Sequence, residues 1–194
     1  NITISNPGDD TLTFDAGDFY GDLAGNFTDD FENGLDQWGY TGSYAMELSS
    51  LGEGYNSDYS LMTGDYSNGT YYQEMIETYE MQDIENAAID FWARNTDYGD
   101  WLRIYVDNGN GWGSYQNMYV ISSSSWTHYS YDLTDFLNNR GVSEGDDVRF
   151  KLRWYARHYA PNYIDDISIT GIGGVNEAVL DSNYTHILAP GEST

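Results

Sequence analysis

The amino-acid sequence predicts an all-β protein built as an antiparallel β-sandwich. Short runs of alternating apolar and polar residues recur along the chain, turn-forming glycines and asparagines separate them, and only one short segment has a helical pattern. The strongest signal lies at residues 87–93 and 101–106, two such runs on either side of the sequence N-T-D-Y-G-D. Because these residues favour turns, we expect the two strands to form a hairpin.

Composition limits the possible partners of this chain. The 194 residues are 40% hydrophobic and 16% aromatic, which is enough for a folded core. Seven Lys and Arg residues stand against 32 Asp and Glu, a net charge of −25, which argues against nucleic acid or an anionic membrane surface as a partner. No apolar run approaches the roughly 18 residues of a membrane span, so we expect no membrane insertion. The absence of cysteine excludes disulfides and thiol chemistry.

The remaining elements follow in chain order. Residues 2–5 and 11–14 read as short strands around the turn N-P-G-D-D. Residues 134–140 form the only helix-like segment. Besides 87–93 and 101–106, the alternation predicts strands at 44–48, 59–62, 70–76, 115–121, 126–133, 148–155 and 164–169. After the glycine-rich residues 171–174, further short strands follow up to the sequence P-G-E-S-T.

Several motifs in the middle of the chain resemble a known type of domain. They include D-D-F-E-N-G-L-D-Q-W at 29–38, W-L-R-I-Y-V-D-N-G-N-G-W at 101–112 and Y-I-D-D-I-S-I at 163–169. In this order they resemble the MAM-like and carbohydrate-binding-module-like jelly rolls of secreted and cell-surface proteins. The flanking sequences I-T-I-S-N-P-G-D-D-T-L-T-F and H-I-L-A-P-G-E-S-T resemble strands of immunoglobulin-like surface-protein domains. The resemblance implies an N-terminal strand pair at 1–27, a jelly-roll sandwich at 28–171 and a C-terminal strand segment at 172–194.

The same resemblance implies a structural calcium site, because many related modules hold Ca²⁺ between their first and last strands. The corresponding acidic residues here are Asp30, Glu32, Asp165 and Asp166. Clustered carboxylates and loop carbonyls provide the six to eight oxygen ligands that Ca²⁺ takes. The alternative is a chance cluster, since the chain contains 32 acidic residues.

A second candidate site is an aromatic and arginine face, predicted from the alternation at 87–106. It comprises Trp92, Trp101, Arg103 and Tyr105, and further basic residues alternate with apolar ones at 148–154. Such a face suits glycan binding, since flat rings stack on sugars and arginine binds hydroxyl groups. It equally suits a subunit interface, or plain packing with cross-strand acids such as Asp90.

No catalytic set is evident in the sequence. The three histidines are scattered, and neither the H-E-x-x-H nor the G-x-S-x-G motif is present. Glycoside hydrolysis uses a pair of carboxylates, and Glu74, Glu77 and Glu80 form a set of the right residue type. Their spacing of three residues, however, places neighbours on opposite faces of a strand. We therefore expect a protein without enzymatic activity.

These features lead to two functional hypotheses. The first is an extracellular structural module, such as a filament, surface-array or adhesin subunit, that assembles with identical subunits by exchanging a terminal strand. Ile2, Ile4, Leu12 and Phe14 would set the register of that strand. The second is a carbohydrate-binding module that uses the aromatic and arginine face. An extracellular location also fits four N-glycosylation sequons, which begin at Asn1, Asn26, Asn68 and Asn183.

Overall fold

The computed structural model describes residues 26–40, 42, 44–64, 69–95, 101–156 and 161–173, together with the backbone of residues 12–15, 174–175 and 185–188. This part of the chain is almost entirely β-structure. Its strands are β1 (Leu12–Asp15), β2 (Phe27–Asp29), β3 (Trp38–Gly39), β4 (Tyr44–Ala45), β5 (Glu47–Leu48), β6 (Leu61–Met62), β7 (Gly69–Met75), β8 (Tyr79–Met81), β9 (Ala88–Asn95), β10 (Trp101–Asp107), β11 (Tyr115–Met118), β12 (Ser123–Asp132), β13 (Asp147–Ala156), β14 (Asn162–Ile169), β15 (Ile172–Val175) and β16 (Thr185–Leu188). A 3₁₀ turn, Ile84–Asn86, and one α-helix, α1 (Thr134–Asn139), complete the described elements.

Residues 24–175 form one compact unit, a sandwich of two sheets. The larger sheet has the strand order β11-β10-β13-β7-β3, with β4, β8 and β15 attached to it. The smaller sheet has the order β12-β9-β14-β6-β5, and β2 pairs with β14. All pairs in the two sheets are antiparallel except β4 with β7. The prediction of an antiparallel jelly-roll sandwich is confirmed.

The core lies between the inner faces of the two sheets. On the larger sheet Leu102 and Ile104 are fully buried, and Trp154 is fully buried on the neighbouring strand. On the smaller sheet Ile89 and Phe91 point inward. Strands that bury one face against a core and expose the other alternate with a period of two residues, as the sequence indicated. Neither helical segment in the described residues is long and apolar enough to cross a membrane.

The predicted hairpin between 87–93 and 101–106 is wrong, although both strands exist. β9 pairs with β12 and β14 in the smaller sheet, whereas β10 pairs with β11 and β13 in the larger sheet. The segment between them therefore connects the two layers of the sandwich. A hairpin within one sheet and two strands in opposite sheets predict the same alternation of apolar and polar residues, because each strand buries its aliphatic face in the common core.

The two ends of the chain form a second compact unit, residues 1–23 together with 176–194. Within it, β1 pairs antiparallel with β16, so that Leu12 lies opposite Leu188 and Phe14 opposite His186. The two terminal segments thus contribute to one two-stranded sheet. The predicted strand residues Ile2 and Ile4 lie outside the described residues.

Candidate functional site

The outer face of the larger sheet carries a concentration of cations and aromatic rings. Inward-pointing residues of β10 and β13 fill the core, so the alternate residues project outward. With the strands paired in register, these residues form rows across the sheet. We call this surface the cationic face; it comprises Tyr72, Glu74, Trp101, Arg103, Tyr105, Asp107, Trp112, Tyr115, Asn117, Arg149, Lys151, Arg153 and Tyr155.

Arg103 occupies the centre of one such row. Its guanidinium carbon lies 3.6 Å from the ring centroid of Trp101 and 3.6 Å from that of Tyr115, so the group is held between two rings. Its Nε donates a hydrogen bond to Asn117 Oδ1 at 3.0 Å. Cation–π contacts of this kind hold a guanidinium in place while leaving its outer N–H groups free to donate.

Arg153 lies directly opposite Arg103 on the neighbouring strand. Its Nη1 donates to the hydroxyl of Tyr105 at 3.0 Å, and its guanidinium carbon lies 5.5 Å from the ring centroid of Trp101. Its Nε is buried without a hydrogen-bond partner among the described residues. Within the same part of the chain, neither Arg103 nor Arg153 forms an ion pair with a carboxylate.

Lys151 and Arg149 extend the same face along β13. Lys151 Nζ lies 4.1 Å from the ring centroid of Trp112, in the loop that follows β10. Burial lowers the pKa of Lys151, and the nearby carboxylates of Glu74 and Asp107 oppose this shift. Arg149 pairs with Asp107 at 3.1 Å. Burial acts against the ionised form of Asp107, but hydrogen bonds from Arg149 and the following loop leave its pKa below the usual value.

The four residues predicted as a single glycan or interface face do not lie on one surface. Trp101, Arg103 and Tyr105 belong to the cationic face, whereas Trp92 lies on the outer face of the smaller sheet. There the ring of Tyr55 stacks on Trp92, with 3.8 Å between centroids and 15° between planes. One face of the Trp92 ring is thus covered by Tyr55 of the same chain.

Arg94 is part of the same covered cluster on the smaller sheet. Its guanidinium carbon lies 4.0 Å from the centroid of Tyr163 and 5.2 Å from that of Trp126, and it forms an ion pair with Glu53. Here Glu53 neutralises the cation, although the buried Nε of Arg94, like that of Arg153, has no hydrogen-bond partner among the described residues. This surface therefore differs from the cationic face, where Arg103 and Arg153 form no ion pair with a carboxylate of the described residues.

Two of the four predicted calcium ligands anchor the loop of residues 53–59. The fully buried Asp165 accepts hydrogen bonds from the amide of Tyr55 at 2.6 Å, from Ser57 Oγ at 2.9 Å and from the amide of Asp166 at 2.8 Å. Burial raises the pKa of Asp165 to about 6, although these hydrogen bonds oppose the shift. Glu32 Oε1 accepts from the amides of residues 58 and 59 at 3.0 and 2.7 Å.

The other two acids lie nearby. Asp30 Oδ1 accepts from the amide of Glu32 at 3.2 Å. Burial, with a further contribution from the charge of Asp30, raises the pKa of Asp166. Within the described residues, no three acidic or histidine side chains are arranged to hold a metal ion. The carboxylates of Asp30, Glu32 and Asp165 accept hydrogen bonds from amide and hydroxyl groups, and calcium binding stays a prediction.

The remaining predicted sites fall in several places. Asn26 is exposed at the start of β2, whereas Asn1, Asn68 and Asn183 lie outside the described residues. Glu74 is buried beside Lys151, while Glu77 and Glu80 are exposed. His128 lies 3.5 Å from Asp90 on the smaller sheet.

Sequence reasoning missed four rings of the cationic face, one of which is Tyr155, opposite Trp101 on β13. Tyr115 lies opposite Tyr105 on β11, Tyr72 lies opposite Arg153 on β7, and Trp112 reaches over Lys151 from a loop. Each comes from a different segment, so no local pattern could have joined them. The only available signal was the alternation of β7 and β13, which placed Tyr72 and Arg153 on outward faces.

Comparison with known proteins identifies the fold. No family model and no curated protein matches the chain. Among solved structures, the K3 cleaved adhesin domain of Lys-gingipain from Porphyromonas gingivalis is similar with a TM-score of 0.52 and 14% identity, over 74% of this chain and 98% of that one.

Two carbohydrate-binding modules from Clostridium thermocellum are similar to the same extent. A family 11 module, solved with a β-1,3-1,4-mixed-linked tetrasaccharide, has a TM-score of 0.52 and 17% identity, over 77% of this chain and 98% of that one. The C-terminal family 22 module of Xyn10B has a TM-score of 0.51 and 17% identity, over 82% of this chain and 99% of that one. At these identities the likeness establishes the jelly-roll fold.

Proposed function

We propose that this chain is a non-catalytic carbohydrate-binding module of an extracellular protein, and that the cationic face is its binding surface. The observation that carries this proposal is the grouping of Trp101, Tyr115 and Tyr155 with two arginines on one sheet face, where the ring of Tyr155 stacks on that of Trp101 with 5.1 Å between centroids. Tyr115 is 39% exposed, and Trp101 is partly exposed. Sugar rings pack their C–H faces on such aromatics, while arginine donates to hydroxyl and ring oxygens.

The fold neighbours add support, since one was solved with a tetrasaccharide bound and another is a carbohydrate-binding module. The absence of catalysis is supported by the positions of the acids. Glu74 is buried against Lys151, and the carboxylates of the other candidates for acid–base chemistry, Glu77 and Glu80, are exposed on other segments. They provide no pair that flanks a single bond.

The test compares two tryptophan variants. Trp101→Ala removes a ring from the cationic face, whereas Trp92→Ala removes the same ring from the covered cluster on the smaller sheet. Affinity gel electrophoresis against a panel of soluble polysaccharides should show binding by the wild-type chain. Loss of a central aromatic contact should weaken that binding about tenfold or more in Trp101→Ala, and Trp92→Ala should bind like the wild type.

Circular dichroism and a thermal melt check that both variants are folded. The proposal is wrong if the wild-type chain binds no polysaccharide in the panel. The assignment of binding to the cationic face is wrong if Trp92→Ala weakens binding as much as Trp101→Ala does.

A second candidate function is self-assembly through the terminal strands, as in a filament or adhesin subunit. The observation that favours it is the pairing of β1 with β16, which brings both ends of the chain into one two-stranded sheet. An isolated pair of strands is marginally stable, and an unpaired strand edge accepts further strands. Deleting residues 1–14 should then abolish oligomers in light scattering while the sandwich stays folded. Oligomers that survive the deletion would contradict this mechanism.

A further inference from the structure

The cationic face is unusual for a protein of this charge. The chain has a net charge of −25 and only seven Lys and Arg residues, yet Arg103, Arg149, Lys151 and Arg153 all project from this one surface. A random distribution of cations on so acidic a chain would pair each with nearby carboxylates. Their concentration on one sheet face therefore calls for a local physical reason.

The pairing register makes this concentration costly. Arg103 and Arg153 are direct cross-strand neighbours, and like charges in this position repel each other. Arg149, by contrast, has the carboxylate of Asp107 at 3.1 Å. Among the described residues no carboxylate pairs with Arg103 or Arg153, so the repulsion between them is not offset by an ion pair.

The contacts that the two arginines do make hold them in place without neutralising them. Rings lie on both sides of Arg103, at 3.6 Å each, and Asn117 fixes its Nε. The hydroxyl of Tyr105 fixes Nη1 of Arg153, whose buried Nε has no partner in the described part of the chain. Two adjacent, oriented guanidinium groups with free N–H donors match the oxygens of a carboxylate or a sulfate ester.

We infer that the ligand of the cationic face is an anionic polysaccharide, with a carboxylate or sulfate group bound between Arg103 and Arg153 and sugar rings packed on the neighbouring aromatics. This inference rests on the proposed glycan-binding function and specifies its substrate class. An anion at this position removes the repulsion between the two arginines, and although the net charge of −25 disfavours polyanions in general, the contact lies where four of the seven Lys and Arg residues are grouped. A neutral sugar leaves that repulsion in place, so the face discriminates between the two classes of glycan.

The covered cluster on the smaller sheet provides the contrast within the same molecule. There Arg94 also lies against two aromatic rings, but Glu53 neutralises it. Arg94, whose neighbouring rings pack within the chain, is thus paired with a carboxylate. Among the described residues Arg103 and Arg153 have no such partner, whereas Arg149, which also lies on the cationic face, pairs with Asp107.

The test uses polysaccharides that differ only in charge. The first pair is polygalacturonate and its fully methyl-esterified form, and the second is dextran sulfate and dextran. We expect the wild-type chain to bind at least one of the charged forms roughly tenfold or more tightly than its neutral counterpart, because the charged contact is lost in the latter. The pair that shows the difference identifies carboxylate or sulfate as the recognised group.

Three variants locate the contact. The double variant Arg103→Gln/Arg153→Gln should lose the preference for the charged polysaccharide, whereas Arg94→Gln, which also removes positive charge from an aromatic cluster, should keep it. Thermal melts check that each variant is folded. Trp101→Ala should weaken binding of every polysaccharide that binds.

The outcomes separate this inference from the proposed function. Binding of neutral polysaccharides only, weakened by Trp101→Ala, would overturn the inference and leave the proposed function intact. A charge preference that survives in the double arginine variant would overturn the assignment to these two residues. Binding of no polysaccharide, charged or neutral, would overturn both.

Discussion

The buried carboxyl group of Asp165 should make the stability of this protein depend on pH. Asp165 is fully buried, and burial raises its pKa from 3.8 to about 6. The folded chain therefore binds a proton at this site more readily than the unfolded chain between these two pH values. By linkage, the contribution of Asp165 to the free energy of unfolding is largest at low pH, falls as pH rises through 4 to 6, and is flat above.

The magnitude follows from the two pKa values. A shift of about two units corresponds to about 3 kcal/mol between the fully protonated and fully ionised limits. The isoelectric point near 4.1 makes measurements at pH 4 impractical, since a protein without net charge precipitates. Between pH 4.5 and 7.5 the same linkage relation still gives a change of about 2 kcal/mol.

The assay is urea unfolding of the wild-type chain and Asp165→Asn in buffers with chelator, across that pH range. Asparagine cannot ionise, so subtracting its unfolding free energy removes the pH dependence of all other groups. The difference should fall by about 2 kcal/mol from pH 4.5 to 7.5. A difference that is constant, or that rises with pH, would refute the argument from burial. NMR titration of the Asp165 carboxyl carbon gives the pKa directly and provides an independent check.

Two further predictions concern stability. Gly171 has φ +82°, and a Cβ there would lie 2.4 Å from the carbonyl oxygen of Asp83; Gly34 has φ +92° but open space around it. In urea unfolding, Gly171→Ala should therefore cost at least about 1 kcal/mol more than Gly34→Ala, and equal costs would contradict the predicted clash. If Ca²⁺ binds the predicted acidic cluster, adding it at 100 times its dissociation constant should stabilise the fold by about 2.7 kcal/mol relative to chelator. An unchanged melting temperature over millimolar calcium would count against that site.

Much of the strand content could be predicted from local alternation. The segments predicted at 101–106 and 148–155 correspond to β10 (Trp101–Asp107) and β13 (Asp147–Ala156), and the helix at 134–140 corresponds to α1 (Thr134–Asn139). In each strand the aliphatic residues turn inward, because burying one side of a pleated strand requires that period. The short strands β3 and β15 have too few residues to show any period, and they were missed.

The candidate site could be predicted only in part. Alternation correctly grouped Trp101, Arg103 and Tyr105, since they lie on one side of a single strand. It wrongly added Trp92, because an outward position on β9 looks the same whichever sheet the strand joins. The rings of Tyr72, Trp112 and Tyr115 come from other segments, which only strand pairing brings to this surface.

The sequence by itself therefore determined the fold class, the longer strand segments, and which residues of strands such as β9 and β10 face the core. These properties depend on residues that are close in sequence, because a strand with one buried face alternates apolar and polar residues along its own length. The tertiary structure decided which strands share a sheet, and so which side chains meet. Arg103 faces Arg153, 50 positions along the chain, only because β10 pairs with β13. Both sheets cover the same core, so the hydrophobic pattern of β9 and β10 is compatible with either sheet. The sheet to which each strand belongs is therefore set by its pairing with distant segments.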